Sequence, residues 1–147
     1  MNGGGDRIPS AGGTRVLVAD DDRAFGLFAR YVLTKVGCAV DLAEDAGDAM
    51  SLLADAARTY HAVVVDAGLT DAQGRNVAFE TASLRPDAAL LCVCEGYERE
   101  DSRHDMWLRK PYQPAALVRA LSAANSVSLI RRLHQSKRDR NGMIEHC

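Results

Sequence analysis

An α/β fold, with a five-stranded parallel sheet doubly wound so that helices cover both faces, is predicted by three features of the sequence. Short aliphatic runs of strand length alternate with segments whose apolar residues recur at helical spacing. The segments between them are short, as expected where helices serve as the crossovers between parallel strands. Several runs end on a charged or thiol-bearing residue, which gathers functional groups at the carboxyl ends of the strands, where open α/β sheets carry their sites.

Order begins at Arg15, where RVLVADDD is an aliphatic run closed by three aspartates, a buried strand with an acidic lip. Residues 1–14 (MNGGGDRIPSAGGT) have no apolar core and are expected to form a flexible tail. In RAFGLFARYVLTKVG, Phe25, Phe28, Val32 and Val36 recur at helical spacing, and Gly37 sits where a helix would stop. CAVDLAE is the second strand, and AGDAMSLLADAA is a helix expected to bury Ala49, Leu53 and Ala57. AVVVD is a strongly β-branched third strand. NVAFETASLR is a helix stopped at Arg85-Pro86, because the residue before proline is pushed out of helical geometry. ALLCVC, a brief strand at MWLR, and the helix PAALVRALSAA opening with Pro114 complete the set, for five strands and four or five helices.

The 147 residues suit one domain with a sizeable core. At 47% hydrophobic and 26% charged, the chain is neither wholly disordered nor fibrous, and a net charge of −2 selects no class of partner. Cys38, Cys92, Cys94 and Cys147 form no CxxC pair, nothing at the N-terminus resembles a signal peptide, and no stretch is long and apolar enough to span a bilayer. A reducing cytoplasm with free thiols is the expectation.

The chemistry concentrates at the strand ends, which carry Asp20 and Asp21, then Asp66, then Cys94, then Lys110. In VVVDAGLTDAQG an apolar run ends on Asp66, and an ionised carboxylate at such a place usually meets water or a cation. Asp21 and Asp66 are 45 residues apart, but adjacent parallel strands bring them to one edge. Carboxylates so close repel one another, raising at least one pKa unless a cation is present. The set fits a hard divalent ion such as Mg²⁺, which takes oxygen ligands, and the lysine adds a compact positive charge.

This constellation resembles the receiver domain of bacterial two-component response regulators over residues 14–124, through VLVADDD, GCAVDLAEDAGDAM, VVVDAGLTDAQG and WLRKPY in that order. The resemblance implies a flavodoxin-like sheet of order 2-1-3-4-5. It makes Asp66 the acceptor of a phosphoryl group from a sensor histidine kinase or phosphotransfer protein. Asp20, Asp21 and Asp66 would hold Mg²⁺ with the backbone carbonyl of Gly68, and Lys110, through a cis Lys110-Pro111 bond, would contact the phosphoryl oxygens. The chemistry is coherent in its own right, because phosphoryl transfer depends on positioning and charge neutralisation. Each residue has a plainer alternative: Asp20, Asp21 and Asp22 cap the following helix, as Asp22 is expected to do, Asp66 is a loop aspartate, and Lys110 is a solvated lysine before a proline turn.

The sequence also departs from the family. Cys94 stands where receivers place a Ser or Thr whose hydroxyl meets the phosphoryl group, and no Ser or Thr occurs between Ser83 and Ser102. A thiol is the weaker donor, so an altered conformational response is expected, with plain strand packing or a redox role for Cys92 or Cys94 as alternatives. The twelve residues EGYEREDSRHDM leave room for only a short or degraded fourth helix. Trp107 occupies the aromatic switch position of the fifth strand, its alternative being a core tryptophan. Thr70 and Gln73 stand where the family usually has proline and an acidic residue or asparagine.

Beyond Ala124 lie 23 residues with five basic and two acidic side chains, net +3, too few for an output domain. A stand-alone receiver with a basic C-terminal tail at 125–147 is expected, in part a helical extension through Val127, Ile130 and Leu133. The tail reads as solvated or partner-docking, and nucleic-acid binding is disfavoured because no recognition motif accompanies the charge. Two functional readings compete. One is a signalling protein, not an enzyme with an external substrate, which catalyses transfer of its partner's phosphoryl group onto its own Asp66 and acts on a downstream protein. The other is a pseudo-receiver that binds partners without phosphoryl chemistry. A haloacid-dehalogenase-type phosphatase is set aside because that family needs a second Asp where this chain has Gly68.

Overall fold

The computed structural model describes residues 13–96 and 105–146. The expected flexible N-terminal tail falls almost wholly outside the described residues, as does the segment 97–104, where the short fourth helix is expected. The elements are β1 (Arg15–Ala19), α1 (Arg23–Lys35), β2 (Ala39–Ala43), α2 (Ala46–Ala54), β3 (Ala62–Asp66), α3 (Val77–Leu84), β4 (Ala89–Cys94), β5 (Met106–Arg109) and α4 (Pro114–His146). The five strands form one parallel sheet of order β2-β1-β3-β4-β5, the order expected.

The three central strands are buried along nearly their whole length, because both sheet faces are covered. Alternate residues face opposite ways. Val16, Val18, Val64, Leu91 and Val93 pack under α1 and α4 with Ala29, Leu33, Leu117 and Leu121. Leu17, Val63, Val65, Leu90 and Cys92 pack under α2 and α3 with Ala49, Leu53 and Val77. Each fully buried Val or Leu contributes about 1.5–3 kcal/mol relative to exposure. The registers that place Val65 against Cys92 and Ala19 also align the carboxyl ends of β1, β3 and β4.

Local signals set the helix limits. Asp22 caps α1 by accepting from the amides of Ala24 and Phe25, as expected. At the other end Cys38 N–H donates to Leu33 O and Gly37 N–H to Thr34 O. This turn needs the left-handed φ of +99° that Gly37 supplies. The buried side of α1 is Gly26, Ala29, Val32 and Leu33, while Phe25, Phe28 and Val36 are half-buried at its margin.

One expected core residue is corrected: Ala57 is exposed. Helix α2 stops at Ala54 because the Asp55 side chain accepts from the Ala57 amide at 3.0 Å, a local bond that competes with helical pairing.

Helix α4 runs 33 residues, about 50 Å at 1.5 Å per residue, and passes residue 124 without a break. Past that point it remains attached to the body. Ser128 is buried, and Arg131 donates to the Asp105 carboxylate at 3.2 Å and to the carbonyl of Pro86 at 2.8 Å. Asp105 also accepts from the Leu90 amide at 2.8 Å, so the clasp fixes the start of β5 against β4. Val127, Ile130 and Leu133 are exposed. Among the described residues no helix is long and apolar enough to cross a membrane.

Candidate functional site

The site lies where β1, β3 and β5 end. Asp20 follows β1 directly and is buried, Asp21 is exposed, and Asp66 closes β3 half-buried. One carboxylate oxygen from each of these three residues lies within 4.8 Å of the others. Lys110 follows β5, after a backbone bond from its amide to Cys94 O at 2.7 Å, and its peptide bond to Pro111 is cis. Its buried Nζ reaches Asp20 Oδ2 at 2.9 Å and Asp66 Oδ2 at 3.0 Å. Four side chains separated by up to 90 positions therefore meet at one sheet edge.

The electrostatics follow from this packing. Burial raises the Asp20 pKa and the negative charge of Asp66 adds to the rise, against the lowering effect of the Lys110 hydrogen bond and the Asp22 amide. Burial pulls Lys110 the other way, but its hydrogen bonds to Asp20 and Asp66 outweigh that, and its pKa is raised. Lys110 is thus held as the ammonium. Three carboxylates against one ammonium leave two formal negative charges in excess, and hard oxygen donors within 4.8 Å of one another suit a divalent cation. The donor set fits Mg²⁺.

The loop after β3 is braced by its own polar residues. Asp66 Oδ1 accepts from the Gly68 amide at 2.8 Å, so Gly68 sits beside the cluster and contributes its N–H there. Asp71 accepts from the amides of Gln73 and Arg75 and pairs with the Arg75 guanidinium at 2.7 Å. Gly74, at φ +82°, closes the turn. Asn76 caps α3 and donates to Ala67 O at 2.8 Å, tying the helix to the residue after Asp66. Thr70 and Gln73 thus occupy a loop ordered by Asp71 and Asn76; the signal for the latter is an asparagine directly before a helical run, the preferred N-cap residue.

No protein-family model matches the chain, and no curated protein matches it. Solved structures do. A receiver domain protein (CheY-like) of Methanospirillum hungatei JF-1 superposes with a TM-score of 0.69 at 20% identity, covering 80% of this chain and 98% of that one. A response regulator receiver protein of Sinorhizobium medicae WSM419 gives 0.64 at 22% identity, with 81% and 98% covered. A signal receiver domain of an HD domain-containing protein from Pseudomonas fluorescens Pf-5 gives 0.68 at 19% identity, with 78% and 96% covered. This chain has the receiver-domain fold.

Within that fold the two residues expected to act as a switch are placed as follows. Cys94 ends β4, paired with Arg109 of β5, and is buried, its thiol donating to Gly96 O at 3.6 Å. Trp107 pairs with Cys92 and is half-buried, packed against the cluster beneath α2 and α3. Two features of this receiver fold were not legible as site components. Phe25 stands out in the sequence only by its apolar spacing, yet its ring lies 4.5 Å from Lys110 Nζ. Tyr112, two residues beyond Lys110, packs its ring at a 45° tilt, with centroids 5.7 Å apart, against both Phe25 and Phe28.

Proposed function

We propose that this protein is a response regulator that accepts a phosphoryl group on Asp66 and signals through protein–protein contacts, as a phosphoacceptor and not as an enzyme with an external substrate. The observation that carries the reading is the placement of Lys110 Nζ within 3.0 Å of both Asp20 and Asp66, with Asp21 completing the acidic cluster. The donor is a phosphohistidine of a sensor histidine kinase or phosphotransfer protein, and the compartment is the cytoplasm.

An Asp66 carboxylate oxygen attacks phosphorus. The oxygen–phosphorus bond forms as the donor's nitrogen–phosphorus bond breaks, and the departing imidazole keeps the bonding pair and takes a proton from solvent. Asp20, Asp21 and Asp66 would hold Mg²⁺, with the Gly68 carbonyl as a further ligand, and the ion would supply neutralisation of the charge on the phosphoryl oxygens. Lys110 adds its ammonium to the same oxygens, and its rigid tether at the end of β5 fixes where that charge sits.

The test is intact mass after incubation with Mg²⁺ and acetyl phosphate, for wild type and Asp66→Asn. One phosphoryl gained by wild type alone supports the reading. Asp66→Asn keeps or raises the melting temperature, because Asp20 loses a repulsive neighbour while Lys110 keeps Asp20 as a partner; a large fall would make Asp66 structural. Cys94 favours a second reading, a pseudo-receiver that binds partners without phosphorylation. A folded wild type that gains no mass with acetyl phosphate or with a phosphohistidine donor would shift the conclusion to it.

A further inference from the structure

We propose that Phe25 is a positioning residue for Lys110, holding its ammonium in place while the hydrogen bonds of that ammonium change hands. The inference rests on the phosphoacceptor reading. At rest the Lys110 ammonium donates to Asp20 and to Asp66, at 2.9–3.2 Å. Those are the bonds it gives up, at least in part, when it turns to phosphoryl oxygens. A lysine head is a point charge on a flexible four-carbon stem, so surrendering them would free it to wander. The Phe25 ring, 4.5 Å from Nζ, attracts the charge through its face and uses none of the three N–H donors. This contact persists through the exchange of partners.

The ring is itself fixed. The Asp22 side chain accepts from the Phe25 amide at 3.3 Å, which sets the first turn of α1. Tyr112 braces the ring from 5.7 Å at an interplanar angle of 45°, and Tyr112 rests in turn on Phe28. The sequence Asp20, Asp22, Phe25 therefore supplies a carboxylate partner, a cap and an aromatic platform within one strand-to-helix junction.

The test compares full-length wild type, Phe25→Leu and Phe25→Tyr. Leucine keeps the apolar bulk and removes the ring; tyrosine keeps the ring. The Lys110 ε-methylene NMR signals carry a ring-current shift in wild type and Phe25→Tyr that disappears in Phe25→Leu. With acetyl phosphate and Mg²⁺, Phe25→Leu slows phosphoryl gain about threefold or more, the scale of a modest cation–π contact, and Phe25→Tyr restores the rate. In a Lys110→Ala background Phe25→Leu has no further effect, because its action runs through the lysine. An unchanged methylene signal in Phe25→Leu, failure of tyrosine to restore the rate, or the same loss with and without Lys110 would each overturn the proposal. If wild type gains no phosphoryl group the acceptor reading falls, and the methylene signal alone then decides whether Phe25 positions Lys110.

Discussion

At the scale of single residues, Tyr60 and Cys94 show how environment changes what a side chain does. The Tyr60 phenol is buried and donates to Asp41 Oδ2 at 2.6 Å, where Arg58 also donates at 3.0 Å. Burial first, then the hydrogen bond to Asp41, pushes its pKa from 10.0 up to about 12. Tyr112, half-buried and under the negative charge of Asp20, is likewise pushed up to about 12, burial being the larger cause. The native phenol binds its proton more tightly than the unfolded one, so stability held by the Tyr60–Asp41 bond is complete below pH 10 and is lost as pH rises through about 12. Phenolate absorbance should show two late-titrating tyrosines, and Tyr60→Phe and Tyr112→Phe should each remove one; titration of both near 10 would contradict the burial argument. At Cys94, where receivers carry a hydroxyl, Cys94→Thr supplies a stronger donor at the end of β4 and, on the phosphoacceptor reading, should enlarge the Trp107 fluorescence change on phosphorylation. An unchanged response would mean the thiol is not what limits the switch.

Single elements were legible in the sequence to the extent that their signals were local. Helix α1 has both ends written in its residues, Asp22 as cap and Gly37 as the left-handed stop. Replacing Gly37 by alanine puts a Cβ on a backbone at φ +99° and should cost roughly 1–2 kcal/mol. Urea denaturation measures it, and a loss below a few tenths would show that the turn relaxes. Alanines continue the pattern of helix α2 to Ala57, one turn beyond its end, whereas the Asp55 side chain takes the Ala57 amide and ends it. Periodicity reports which faces are apolar; it does not report a side chain competing for backbone donors. The strands β1, β3 and β4 were plain for the opposite reason, since burial on both faces leaves continuous aliphatic runs.

At the scale of the whole molecule, what was hidden is what joins distant segments. Asp20, Asp21, Asp66 and Lys110 could be grouped from sequence because each ends a strand and the sheet order brings those ends together. Phe25 over Lys110 and Arg131 on Asp105 obey no such rule, for they depend on where a helix side chain lands across the body. The Arg131 clasp matters most for the limits of the globule. Asp105 is nearly buried and accepts from both Leu90 N–H and Arg131, whose own side chain is only partly exposed. Removing the cation leaves a buried carboxylate with less compensation, so Arg131→Ala should destabilise by about 2 kcal/mol, toward the low side for a broken buried pair because water still reaches the arginine. Ending the chain after Ala124 removes Arg131 together with buried Ser128, and should cost at least as much. Asp105→Asn on the shortened chain, which takes away the stranded charge, should recover part of the loss. A shortened chain as stable as wild type in thermal melts would show instead that the body ends at residue 124 and that the rest of α4 adds nothing to its folding.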